Sequence, residues 1–162
     1  MPTPKFDLQT LADRAAIEDV VVRYFYAYDA GDLDLLATCF TDDATAEFGG
    51  VKVDGGGRGI SAFLRGAGGP RVVTNASHYV SNVRIELEGD VATVDCYAIS
   101  CRSDPAGASP MQMRGLRYRD RFARGSDGGW RIADRVHTAV WQASAPGVPI
   151  APMRAASPRE RS

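Results

Sequence analysis

The hydrophobic period of this chain changes along its length, and that change limits the folds open to it. Over the first forty residues apolar side chains recur every three or four positions, while from Ser77 onward they recur every two. The first spacing lines one face of a helix and the second lines one face of a strand. Four long alternating stretches, 77–88, 90–102, 112–124 and 130–141, predict four strands. Gly89-Asp90 and Ser126-Asp127-Gly128-Gly129 predict tight hairpins, and 104–110, with two prolines and a glycine, predicts a looser connection. Four successive strands joined this way form a meander. With the helices first, the order predicts an α+β fold, one curved antiparallel sheet closing over a layer of helices.

Asp7 and Thr10 are both placed to cap the first helix, which the spacing extends to about Ala30. Leu11, Ala15, Ile17, Val20, Val21, Tyr24 and Tyr28 form its apolar stripe, and Asp13, Arg14, Glu18, Asp19 and Arg23 are expected on the solvent face. Gly31 ends the helix, because glycine is free to take the left-handed conformation a C-terminus needs. Asp32 then caps a short helix from Leu33 to about Phe40, followed by a turn at 41–43 and a strand at 44–48. Residues 49–59 hold six glycines and predict either a wide hairpin turn or a loop; 60–66 predict a third short helix.

One residue of the first helix is out of place. Asp29 stands at the C-terminal end, where the macrodipole is negative and a carboxylate costs a few tenths of a kcal/mol or more, roughly. A compensating partner is therefore expected. Tyr24 and Tyr28 lie beside it on the buried stripe; Tyr26 lies off the stripe and is expected to be a packing or a rim residue.

Composition narrows the function classes. A chain of 162 residues is long enough for a single domain with a substantial core. Its net charge of −1 supplies no global field for nucleic acid or an anionic membrane. Arg117, Arg119 and Arg121 form a comb along the third long strand, but no aromatic interleaves with them, and a solvated outer face is expected. Cys39, Cys96 and Cys101 are odd in number and lack a C-x-x-C spacing, so three buried, reduced thiols are expected, Cys96 and Cys101 on opposite faces. No apolar run reaches the span of a membrane helix and the N-terminus lacks a signal-peptide core, which predicts a cytoplasmic protein. Residues 1–7 are expected to form an arm, 8–142 the domain, and 143–162 a partly disordered tail lying along a surface or a neighbouring subunit.

Nucleotide, zinc-protease, kinase and nucleophile-elbow signatures are missing from the sequence. Gly55-Gly56-Gly57-Arg58-Gly59 does not join a buried parallel strand to a helix, so it is not expected to cradle phosphate. His78 and His137, the two histidines, are not at ligand spacing, and no metal or cofactor is expected.

An ordered set of segments carries a resemblance. Residues 11–19, then Tyr24…Asp29-x-x-Asp32, then Phe40-Thr41-Asp42-Asp43-Ala44, His78-Tyr79-x-x-Asn82-Val83-Arg84-Ile85 and Gly129-Trp130-Arg131-Ile132-x-x-Arg135 resemble the SnoaL-like branch of the nuclear transport factor 2-like superfamily. The resemblance spans about residues 8–142. It implies a cone of about six strands around three N-terminal helices, with a pocket at the open end. Within that branch the patterns are similar to the scytalone dehydratase, bile-acid 7α-dehydratase and hexachlorocyclohexane dehydrochlorinase families, which are cofactor-free lyases with an aspartate–histidine dyad. The positions implied here are Asp29 and His78, with Arg135 stabilising a leaving anion or enolate and Tyr24 or Tyr28 donating to the departing group. The expected function is a lyase acting on a small apolar cyclic or aromatic compound. An isomerase or polyketide-cyclase-like enzyme, and a noncatalytic binding or assembly domain, are the alternatives. By residue type Phe48, Phe63, Tyr97, Met113 and Trp141 are candidates for the pocket wall or the core. Asp120 interrupts the apolar face between Tyr118 and Phe122 and is expected either as a hydrogen-bond partner behind the wall or at a rim; His137 is expected in a structural role. The resemblance also implies a homo-oligomer, a trimer first and a dimer second.

Strict alternation conflicts with this site. If Val83, Ile85 and Leu87 face inward, His78 faces outward, and Ile132 and Arg135 have opposite parity as well. A β-bulge near Ser81-Asn82, and a bulge or strong twist between Ile132 and Arg135, are therefore expected.

Overall fold

The computed structural model describes residues 7–66, 75–104 and 106–149. The expected arm up to residue 6 and the tail beyond 149 lie outside the described residues. Helix α1 (Leu8–Ala30) starts at Asp7, whose carboxylate accepts from the Thr10 N–H at 2.7 Å, and stops at Gly31 with φ 72°. Asp32 caps α2 (Leu33–Ala37) by accepting from the Leu35 N–H. The remaining elements are β1 (Phe40–Phe48), β2 (Val51–Val53), α3 (Gly56–Gly66), β3 (Asn75–Glu88), β4 (Val91–Ser103), β5 (Met111–Arg124) and β6 (Trp130–Ala145).

The six strands form one curved sheet in the order β2-β1-β6-β5-β4-β3, wrapped against the helices. The expected meander is present as β3 to β6, each pair antiparallel. The sheet is not antiparallel throughout, because β1 runs parallel to β6. The chain leaves β1 through the β2 hairpin, crosses over by α3, and returns four strands later alongside β1. The core is built from one face of each element: Ile17, Val21, Leu36, Ile60, Phe122 and Ile132 are fully shielded from solvent.

Several local expectations are corrected. The second helix ends at Ala37, and the expected turn at 41–43 is strand, since Phe40 already pairs with Ile132. The third helix begins earlier, inside the glycine run. Gly56 sits against the Asp42 carbonyl so closely that a Cβ would come within 2.1 Å of the oxygen, and it takes φ 63°. Glycine there lets α3 press backbone to backbone on β1. On α1, Leu11 and Ala15 are exposed, and Asp13, expected in solvent, is buried. Asp13 continues the series Ile17, Val20, Tyr24 by one helical turn, so an acid occupies a stripe position. It is satisfied there by both Arg124 Nη atoms at 2.7 Å, Trp130 Nε1 at 3.1 Å and Gln9. These donors, Arg124 foremost, hold its carboxyl down at about 2 despite burial. Cys39 and Cys96 are buried, and burial raises their thiols to about 11 and about 12, while Cys101 is only half-buried.

Candidate active site

The end of α1 faces the start of β3, and the expected bulge decides what β3 presents to it. The β3–β4 register shifts between Ser81 and Arg84, and Asn82 takes φ 53°. Asparagine tolerates this left-handed conformation better than most residues. The shift lets His78 and Ile85 both point toward the helices.

Asp29 then grips His78 twice. Its Oδ1 lies 2.6 Å from His78 Nδ1, and its Oδ2 accepts from the His78 backbone N–H at 2.7 Å. A carboxylate acceptor at Nδ1 assigns the ring proton to that nitrogen and leaves the Nε2 lone pair free. The ring is fixed by a stacked Phe25 at 5.4 Å and an edge-on Tyr28 at 5.2 Å. The two N–H donors supply the compensation that an acid at a helix C-terminus requires. The dyad also borders a second, more open pocket of about 780 Å³, counting its mouth, with Val22, Phe25, Tyr26 and Val80, and Tyr26 there is largely exposed.

His78 also forms part of the wall of a cavity of about 450 Å³, counting its open mouth. Tyr24, Tyr28 and Phe48, all expected there, line it too. Tyr97, Met113 and Trp141 do not line it, correcting the expectation. In β4 the inward positions are Ala92, Val94, Cys96, Ala98 and Ser100, so Tyr97 points outward, where the Arg117 guanidinium covers its ring at 4.9 Å. Met113 pairs with Cys101 and shares the outward phase of Gly115, and Trp141 lies over Gly115 on that face.

Arg135 is also placed differently from its expected role. A bulge at Ala133, where Phe122 pairs with Ile132 but Arg121 with Asp134, turns Ile132 and Arg135 to the same side. Arg135 is then 0 % exposed and does not line the cavity. Its Nε and Nη2 donate to the two Asp120 oxygens at 2.8 and 2.6 Å, a bidentate pair that is also fully buried. Burial raises the Asp120 carboxyl and works against the Arg135 charge, but the facing carboxylate outweighs it and Arg135 stays protonated. The guanidinium lies 3.9 Å from the Tyr24 ring centroid and 4.8 Å from that of Tyr118. It therefore stands behind these two tyrosines rather than in the cavity wall itself. Burial pushes the Tyr24 phenol up to about 12 against the pull of Arg135, and raises Tyr118 as well. Both are neutral donors at physiological pH.

Residues the sequence reading missed complete the wall. Ser100, Arg102, Arg114, Leu116, Tyr118 and His137 line the cavity. The signal was strand phase: Ser100 and Arg102 continue Ala98, and Arg114 continues Leu116 and Tyr118. His137, expected to be structural, stands 5.0 Å from Tyr118 and 5.7 Å from Phe48, with Nδ1 buried and unpartnered. Burial first, then Arg135, His78 and Arg114, push it down to about 4, so it is neutral at physiological pH. Among the described residues no group of three His, Cys, Asp or Glu side chains is placed to hold a metal ion, and no helix is long and apolar enough to cross a membrane.

Comparison with known proteins places this geometry in a family. The chain is similar to the uncharacterized protein Rv2910c of Mycobacterium tuberculosis, 30% identical over 133 residues, covering 82% of this chain and 88% of that protein. In structure it resembles a hexachlorocyclohexane dehydrochlorinase, LinA type 2, with TM-score 0.77 and 23% identity over 90% of this chain and 97% of the other. It also resembles a protein provisionally assigned as a scytalone dehydratase from Novosphingobium aromaticivorans, with TM-score 0.73 and 22% identity over 94% and 96%. The SnoaL-like domain profile matches residues 9–136, and with the cone of strands and helices just described this chain belongs to the SnoaL-like family of the NTF2-like superfamily.

Proposed function

We propose that the protein is a cofactor-independent lyase acting on a small cyclic or aromatic compound. The observation that carries this reading is the 2.6 Å contact between Asp29 Oδ1 and His78 Nδ1 in the wall of the cavity. A histidine oriented this way has its Nε2 available as a general base for a proton on carbon, and its carboxylate partner stabilises the imidazolium that results. The C–H bond breaks, its electron pair forms the new double bond, and the leaving group departs with the electrons of its own bond. Tyr24 and Tyr28 are the hydroxyl donors for that group. Tyr28 Oη accepts from Arg102 Nη2 at 3.1 Å, which leaves its own hydrogen free to donate. The structural neighbours named as a dehydrochlorinase and a dehydratase support elimination over proton return. The same dyad would serve an isomerase or cyclase if the proton were returned.

Arg135 has a positioning role in this reading: it holds the two buried tyrosines rather than touching the substrate. We also propose a cytoplasmic homo-oligomer, a trimer first and a dimer second. An apolar row on the outer sheet face supports assembly: Tyr79, Ile99 and Trp141 are 62%, 42% and 46% exposed. Tyr79 pairs with Ile99, Ile99 with Gly115, and Gly115 with Trp141, so the row crosses four strands.

The test is a screen of halogenated and hydroxylated ring compounds for release of halide or water. On any activity found, His78→Ala and Asp29→Asn are expected to lower kcat by about 10²–10⁴-fold, the usual contribution of a general base. Retention of more than about a tenth of the wild-type rate by His78→Ala would rule the base out.

A further inference from the structure

Among the described residues the cavity wall contains two arginines and no carboxylate. Arg102 and Arg114 line it, and neither makes an ion pair among the described residues. Arg23, Arg84, Arg119, Arg124, Arg131 and Arg135 each meet an acid, while Arg14, Arg58, Arg65, Arg117 and Arg121, which lie outside the cavity wall, share the lack of an ion pair among the described residues. The two cavity arginines are held instead by neutral oxygens. Arg102 donates to Tyr28 Oη, and Arg114 Nε donates to Gln142 Oε1 at 3.1 Å. These contacts orient the guanidinium groups without neutralising them. Arg102 is half-buried and Arg114 exposed, so both charges stay open to an incoming anion.

Their position relative to the dyad follows from sheet register. His78 pairs with Ser100, and Ser100 pairs with Arg114, so base and cation lie in one cross-strand row. Two strand spacings of about 4.8 Å separate their backbones by about 10 Å. Arg102 stands two residues along β4 from Ser100, on the same inward face. A ring-sized molecule spans this gap, with one end at Arg102 and Arg114 and a C–H bond near His78. The rest of the wall, including Phe48, Leu64, Leu116 and Tyr118, is apolar or aromatic and suits the ring.

We infer that the substrate carries an anionic oxygen group of the carboxylate class, held between Arg102, on the strand beside His78, and Arg114, one strand further on. This inference names the substrate class for the lyase reading and rests on that reading for the ring, but the recognition does not depend on turnover. Guanidinium groups bind carboxylates through paired charge-assisted hydrogen bonds that an amide of the same shape does not reproduce.

The experiment is calorimetric titration of the full chain with benzoate and with benzamide, its neutral counterpart. Benzoate is expected to bind about tenfold more tightly or better, the equivalent of one charge-assisted contact. That preference is expected to weaken with added salt and to disappear in Arg114→Gln and Arg102→Gln. Arg102→Lys and Arg114→Lys, which keep the charge, are expected to retain part of it, and thermal melts confirm that each variant is folded. Equal binding of the two compounds, no detectable benzoate binding, or an undiminished preference in the folded glutamine variants overturns the inference. Because the readout is binding, a failure to find lyase activity, or a dead His78→Ala enzyme that still prefers benzoate, bears on the catalytic reading and leaves this one standing.

Discussion

At the scale of single residues, the molecule is organised by charges placed where charge is costly. Asp29 faces the negative end of a helix, and its two hydrogen bonds from His78 make that position tenable. Asp120 and Arg135 are more extreme, both fully buried and bound to each other in bidentate geometry. Removing one member leaves an uncompensated charge in the core, whereas removing both leaves an apolar space. Asp120→Ala and Arg135→Met are each expected to lower stability by about 3–5 kcal/mol, and Asp120→Leu/Arg135→Met together by much less. Urea unfolding measures this; single variants within about 1 kcal/mol of wild type would show that the pair does not hold the core. The parity of Arg135 was readable in the sequence because Ile132 and Arg135 cannot both face inward without a bulge. Its partner was not: Asp120 stood out only as an acid on an apolar face, and nothing local to either residue links them.

At the scale of elements, two irregularities aim the site. The bulge at Asn82 turns His78 inward, and the bulge at Ala133 turns Arg135 inward; each resolves a conflict between strand alternation and the site the resemblance implies. Asn82 is the more exposed to test. A β-branched residue at φ 53° is strained by roughly 1–3 kcal/mol. Asn82→Val is expected to cost about that much, or to push β3 back toward regular pairing with loss of the dyad. Asn82→Gly is expected to leave stability and any activity close to wild type. Comparison of the two by denaturant melts and turnover decides the point, and a neutral valine variant would show that the bulge does not need this conformation. Element ends marked by capping were legible, as at Asp7, Gly31 and Asp32, because a cap acts within one helical turn. The start of α3 was not, because the glycines at 55–57 read locally as loop. Gly56 and Gly57 are needed for contact with Asp42 and Ala37, well back in the chain.

At the scale of the whole molecule, the sheet has a filled face and an open one. The concave face takes the helices and the cavity, and the outer face keeps Tyr79, Ile99 and Trp141 in solvent in this single chain. A contiguous apolar row of this kind marks an interaction surface. The proposed trimer is expected to appear as a mass of three chains in gel filtration with light scattering, and Trp141→Glu is expected to shift it toward monomer. A wild-type monomer at micromolar concentration would remove assembly from the reading. The last described residues add to this picture. Gly147 packs on the Ser109 carbonyl and Gly107 on Pro149, so the chain after β6 follows the β4–β5 connection of its own subunit as far as residue 149.

The sequence by itself determined what depends on near neighbours. Helix and strand periods, caps, hairpin turns and the order of elements follow from contacts a few residues apart, while the demand for bulges arose only where alternation met the site implied by the family resemblance. It also showed Asp29 as an anomaly, although it was the family resemblance that paired it with His78. Only the tertiary structure decided what depends on distant partners. It brought Asp13 to Arg124 and Trp130 across 111 and 117 residues, which put a charged residue into an apolar stripe. It set β1 parallel to β6, and turned Tyr97, Met113 and Trp141 away while bringing Arg102, Arg114 and His137 into the cavity. The physical reason is that strand phase and pairing are fixed by the sum of packing across the sheet. A one-residue slip moves every side chain of a strand to the other face, and no short stretch of sequence carries that sum.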